Sequence, residues 1–283
     1  MSLLFAFTLG SSGSEGRSFP DDFNQANASS IQTVFIGGII FNLANILLIA
    51  AISIAGLSVA FPVGIGIALV WGVIDNYVRV PAGNFTVIFT GVILISIGIV
   101  VNALAYKKLT AGIQRVSTKG LVISVIAGVL MAQFYGFVVG GMITDFSQPE
   151  AGKLTPYTAI VVFSLGILIS NFLFNTVLMR SPVQGESVGY AEYFKGKFGN
   201  HITGILGGMI WCVGMTFSII ASEKAGPAIS YGLGQGAVLV AAMWGVFIWK
   251  EFKAAPRGTN GYLVAMFACF VVGLGLIIYS KMV

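Results

Sequence analysis

Long apolar runs alternate with short polar segments along the whole chain. A helix needs about 20 apolar residues to cross a bilayer. Eight runs reach that length, near residues 31–55, 57–78, 85–106, 120–144, 156–179, 202–222, 226–249 and 260–280. Transmembrane strands would alternate polar and apolar positions over about 10 residues. These runs do not: Ile93 to Val101 is interrupted only by Ser96 and Gly98. The pattern predicts an all-α polytopic membrane protein. A ninth apolar piece, Ser2 to Leu9, is too short to span and lacks the basic flank of a signal peptide.

Composition sharpens this reading. Only 9% of the 283 residues are charged and 57% are hydrophobic. Soluble domains carry about 25% charged residues, so a water-facing exterior cannot be assembled from this chain. The 37 glycines suit membrane helices that approach closely. Cys212 and Cys269 both lie inside apolar runs and suggest neither a disulfide framework nor a metal site. No cofactor motif is present: Gly64-Ile-Gly66 follows no strand, and no phosphate-binding loop occurs.

The net charge of +5 reads as loop charge rather than a nucleic-acid surface. One side of the membrane collects Lys107, Lys108, Arg115, Lys119, Arg180, Lys195, Lys197, Lys250, Lys253 and Arg257. The other has Arg17, Arg79, Lys153, Lys224 and Lys281. The positive-inside rule puts the first set in the cytoplasm of a cell-membrane protein and the C-terminus outside.

An internal repeat is visible. Shifted by 170 residues, Gly37–Val70 aligns without a gap on Gly207–Val240. Gly37-Gly38 meets Gly207-Gly208, Ala55-Gly56 meets Ala225-Gly226, and Gly64 and Gly66 meet Gly234 and Gly236. A slip of three residues then brings Trp71-Gly72-Val73 onto Trp244-Gly245-Val246. The copies lie five spans apart, which inverts one relative to the other, as in many transporters. The same arithmetic places the beginning of the first half upstream of Met1. The expected architecture is a 5+5 inverted-repeat ten-helix fold lacking roughly its first one and a half helices. Residues 1–106 form the incomplete first half, 107–119 a cytoplasmic connecting loop and 120–283 the second half with five helices.

On these features the chain resembles the drug/metabolite transporter superfamily, in its glucose/ribose porter and ureide permease branch. The motif evidence lies in Gly207-Gly-Met-Ile-Trp-Cys212, Ala225-Gly-Pro-Ala-Ile-Ser-Tyr-Gly-Leu-Gly-Gln235 and Met243-Trp-Gly-Val-Phe-Ile-Trp-Lys-Glu-Phe-Lys253. The N-terminal Trp-Gly-rich helix of that branch has no counterpart in this sequence. The resemblance implies a secondary permease for sugars, ureides or related polar metabolites, with or without protons. The superfamily also holds exporters of amino acids, nucleotide sugars and drugs, so an exporter stays open. So does a membrane sensor without flux.

Polar side chains deep in a bilayer are costly and turn toward other helices or a cavity. Asn42 and Asn45 share one helix face, as do Asn171 and Asn175. Gln133, Tyr135, Trp211 and Gln235 are also central in their spans. Amides both donate and accept hydrogen bonds, which suits a hydroxyl- or ureide-rich solute. These eight residues are the expected substrate contacts, although Asn and Gln also join membrane helices to one another. Coupling to protons would need an ionisable group, and Asp75, Glu223 and Glu251, with the single histidine His201, are the candidates. All four lie near span ends.

Overall fold

A computed structural model describes residues 1–12, 16–109 and 117–283. Among them there is no strand; one isolated bridge pairs Met142 with Leu154. The helices are α1 Ser2–Phe7, α2 Phe19–Gln25, α3 Ala28–Ala55, α4 Leu57–Arg79, α5 Phe85–Leu109 and α6 Thr118–Gly140. They continue with α7 Pro156–Arg180, α8 Tyr190–Phe194, α9 Phe198–Ala225, α10 Pro227–Gly234, α11 Gly236–Met243 and α12 Thr259–Tyr279. Among the described residues, eight stretches are long and apolar enough to cross a membrane. Each expected span coincides with one of these eight stretches.

Two expectations need adjustment. The run 120–144 ends as a helix at Gly140. Gly141 lies against α3, where a Cβ would sit 2.7 Å from the Ser30 carbonyl, and the Met142–Leu154 bridge replaces a further turn. The run 226–249 is not one helix. It breaks at Gln235 between α10 and α11 and ends in a π-helical turn, Trp244–Ile248. Of the connecting loop 107–119, residues 110–116, including Arg115, lie outside the described residues.

Two of the segments aligned in the sequence share backbone features. Helices α3 and α9 are both 28 residues long. Each ends at an alanine followed by a glycine in the left-handed region, Gly56 with φ 81° and ψ 156° and Gly226 with φ 89° and ψ 148°. Only glycine takes that conformation without a Cβ penalty, so the Ala-Gly match in the sequence marks a real corner. The three extra residues of the slip, 241–243, immediately precede the π-helical turn.

The chain forms two compact units. The first contains Met1–Ile46 and Phe134–Glu223. Here α3 runs alongside α7, and the backbones meet at Gly38 and Gly166, where a Cβ at Gly38 would lie 3.1 Å from the Gly166 Cα. A neighbouring face of α3, about 100° round the helix, meets the C-terminal half of α6, with a Cβ at Gly37 lying 3.2 Å from the Phe134 carbonyl. Lipid is as apolar as leucine, so membrane helices adhere by such close backbone contact rather than by hydrophobic burial. Outside the spans, Arg17 donates to Asp22 at 3.0 Å and to the carbonyls of Pro149, Glu150 and Lys153. Asp22 is fully buried and also accepts from the Thr155 backbone N–H at 2.8 Å.

The second unit contains Leu47–Gln133 and Lys224–Val283. Its antiparallel pair α5 and α12 meets at Gly91 and Gly273, with Gly98 against Phe270 two turns further along α5. Helix α4 meets α6 at Gly64 and Gly128. The buried Tyr231 of α10 reaches the Ala68 carbonyl at 3.0 Å and the Met131 carbonyl at 3.2 Å, linking three helices.

Candidate solute-binding residues

In the first unit, six of the eight expected contacts occur on α3, α6, α7 and α9. Asn42 is buried and donates its Nδ2 to the Ser170 hydroxyl of α7 at 2.9 Å. Ser170 in turn donates to the Gly166 carbonyl. Asn45, one turn on, donates to the Phe41 carbonyl of its own helix at 2.9 Å. Asn175 donates to the Oδ1 of Asn171 at 2.8 Å, along one face of α7. The Tyr135 hydroxyl donates to the Ser218 carbonyl of α9 at 3.0 Å, and its ring is buried.

Trp211 belongs to an aromatic cluster with these residues. Its indole stacks on Phe41 at 4.8 Å and on Phe163 at 6.2 Å. Phe41 in turn meets Phe134 at 4.8 Å. Trp211 keeps 39% of its surface open, and its Nε1 finds no acceptor among the described residues. So the structure joins Asn42 to Ser170 and Trp211 to Phe41. It leaves one polar end of Asn42, Asn45 and Trp211 without a protein partner among the described residues.

In the second unit, Gln133 and Gln235 are half-buried, and neither amide has a protein partner among the described residues. Gln235 occupies the break between α10 and α11. Its N–H bonds the Gly232 carbonyl at 3.2 Å, a tighter turn than an α-helix makes. Interrupted membrane helices expose backbone groups that can serve solutes and ions. The segment aligned with it in the sequence, Gly64-Ile65-Gly66, stays helical. Gly64 is braced by Leu48 and α6, whereas Gly234 has no neighbour within 4 Å among the described residues.

The coupling candidates are each engaged. Asp75 pairs with Arg79 at 2.7 Å, one turn along α4. Glu223 accepts the Phe146 backbone N–H at 2.8 Å. Glu251 accepts the Tyr106 hydroxyl. Lys250, with φ 56°, turns the chain left-handed so that Glu251 reaches back over Gly245, where a Cβ would lie 2.9 Å from Oε2. Phe252 is buried with Ala105 and Leu263. The Trp-Gly-Val and Glu-Phe-Lys elements are therefore two sides of one tight chain reversal. His201 stands beside Tyr193, ring centroids 5.0 Å apart.

Sequence reading missed Ser170, Phe41 and Phe163, which hold Asn42 and Trp211 in place. It also missed the buried Asp22. Nothing in the pattern separates Asp22 from a solvated loop carboxylate; its burial arises from Arg17 and the distant Thr155.

The sequence model of the ureide permease family matches residues 111–280. Ureide permease 1 of Arabidopsis thaliana is 21% identical over 99% of this chain and 85% of its own length. The L-rhamnose-proton symporter of Salmonella paratyphi A is 25% identical over 90% of this chain and 81% of its own. Ureide permease 5 of Arabidopsis thaliana is 25% identical over 45% of this chain, and that match spans about a third of the relative, 31%. The family match covers more than half of the chain and includes α6–α12 with their tight reversal at Lys250. This chain is a multi-pass membrane permease, not an enzyme, and it belongs to the ureide permease family.

Proposed function

We propose that the protein carries a small polar solute, a ureide or a sugar, across the cell membrane by alternating access of two inverted halves. The observation that carries this reading is the unspent hydrogen-bonding capacity inside the spans. Asn42, Asn45 and Trp211 each keep a polar end free of protein partners among the described residues, and Gln235 keeps its whole amide at a helix break. An amide left unpaired in hydrocarbon costs about 2–7 kcal/mol, so a wet, solute-accessible path is the cheaper explanation. Ureides and sugars present alternating donors and acceptors, and an amide can serve either. The Trp211 face adds a platform for a flat or sugar-like ring.

In this reading Asn42, Asn45, Asn171, Asn175, Tyr135 and Trp211 meet solute in the first unit, and Gln133 and Gln235 in the second. Tyr135 acts mainly by holding α6 to α9, because its hydroxyl is committed to Ser218. Proton coupling falls to Glu223, whose carboxylate is held by a neutral backbone N–H. Asp75 is already neutralised by Arg79, and Glu251 is built into the Gly245 reversal. In this reading the basic loops face the cytoplasm and the C-terminus lies on the other side, as the positive-inside rule favours.

The test is solute counterflow in proteoliposomes. Trapped unlabelled ureide or L-rhamnose should drive accumulation of the labelled compound. Asn42→Ala combined with Gln235→Ala should abolish it. Unchanged counterflow in that double variant would remove the assigned contacts.

A further inference from the structure

We propose that the groove between α7 and α9 is the cytoplasmic mouth of the solute path, and that Asn200 and His201 contact the solute there. This rests on the permease reading above and extends it from the middle of the spans to one membrane face. The groove measures about 960 Å³ and lies wholly within the first unit. Pockets for small solutes have volumes of about 300–1,000 Å³. Five polar side chains line it: Ser164 and Asn171 of α7, Tyr193 of α8, and Asn200 and His201 of α9. Ser164 and Asn171 bracket the middle of α7, two turns apart and about 10 Å along the axis. Asn200 and His201 stand in the first turn of α9. The polar row therefore runs from mid-span to the end that carries Arg180, Lys195 and Lys197, the cytoplasmic end in the orientation proposed above.

The hydrogen-bonding capacity of this row is unspent. A serine inside a helix ordinarily returns its hydroxyl to a carbonyl one turn back, as Ser96, Ser124 and Ser170 do. Ser164 does not. Its hydroxyl, the Tyr193 hydroxyl, the Asn200 amide and both His201 ring nitrogens have no protein partner among the described residues. Asn171 accepts from Asn175 through Oδ1 and keeps its Nδ2 free among the described residues. Acyl chains in the groove would leave the mid-span groups unpaired in hydrocarbon, their costliest state.

The lining also selects the chemistry of the occupant. Among the described residues it holds no charged side chain, so an ion would find no counter-charge. Hydroxyl, amide and neutral imidazole groups each donate and accept, which matches an uncharged polyol or ureide. Ile167, Leu168 and Ile205 supply an apolar wall. The edge-to-face pair of Tyr193 and His201, with centroids 5.0 Å apart, adds aromatic surface at the mouth.

The experiment uses the full chain in inside-out membrane vesicles. A polar, membrane-impermeant thiol reagent should label Gly204→Cys, which lines the groove and has room for a side chain, several-fold faster than Leu206→Cys, an exposed position elsewhere on α9. Whichever of L-rhamnose and the cyclic ureide allantoin drives counterflow should slow the labelling of Gly204→Cys several-fold and leave Leu206→Cys unaffected. In proteoliposomes, His201→Ala should raise the half-saturating solute concentration about tenfold at an unchanged maximal rate, the effect of one lost hydrogen bond. His201→Gln should restore it. Equal labelling at the two positions, or labelling at Gly204→Cys that solute does not slow, would overturn the groove while wild-type counterflow leaves the permease reading standing. Unchanged half-saturation in His201→Ala would overturn the assignment of His201. Absence of wild-type counterflow would overturn both readings.

Discussion

Asn42 of α3 donates its side-chain amide to the hydroxyl of Ser170 on α7 at 2.9 Å, and both residues are buried. The bond consumes one end of the amide and aims the other. Interhelical hydrogen bonds in membranes contribute about 0.6 kcal/mol on average. Ser170→Ala should therefore lower thermal stability slightly and weaken transport by loosening Asn42. Asn42→Ala should cost similar stability and remove transport far more completely. Melting of the purified protein, read beside counterflow, separates the two effects.

The reciprocal contact of Gly91 and Gly273 fixes the α5–α12 pair. A Cβ on Gly91 would lie 2.7 Å from the Gly273 carbonyl, and one on Gly273 would lie 2.8 Å from the Gly91 carbonyl. Backbone against backbone has no flexible end to move aside. Gly91→Ala or Gly273→Ala should cost about 1–3 kcal/mol as an overpacked contact. Gly66→Ala, with no neighbour within 4 Å among the described residues, should be neutral or slightly stabilising. Monodisperse yield and melting temperature in one detergent check all three.

Glu251 and Tyr106 form a structural bond between the chain reversal and α5. Hydrogen bonds to charged groups contribute about 1.5–3 kcal/mol. Tyr106→Phe and Glu251→Gln should each destabilise, and the double variant should cost little beyond the larger single loss. The pH profile of uptake should keep its shape in both singles. Glu223→Gln should instead flatten that profile. A flattened profile in Glu251→Gln with an unchanged one in Glu223→Gln would reverse the two roles.

The spans were legible because a helix needs about 20 apolar residues to cross a bilayer, and apart from a closed β-barrel lipid tolerates no other spanning backbone. The Ala-Gly corners were legible because glycine alone suits their backbone. The break at Gln235 was not. Gly64-Ile-Gly66 and Gly234-Gln-Gly236 share a pattern, and packing of α6 on Gly64 keeps only the first helix intact. The polar candidates could be found by their cost in lipid, but their partners could not. Ser170 lies 128 positions from Asn42, and Thr155, which meets the buried Asp22, lies 133 positions from it. Those pairings depend on how helices come together, which no local pattern records.

The central claim is solute movement through these helices, and counterflow in proteoliposomes tests it most directly. With trapped ureide or L-rhamnose, the wild-type chain should accumulate the labelled solute in a saturable way, and the Asn42→Ala, Gln235→Ala double variant should match empty vesicles. No accumulation of either solute by folded wild-type protein, or full accumulation by the double variant, would contradict the account.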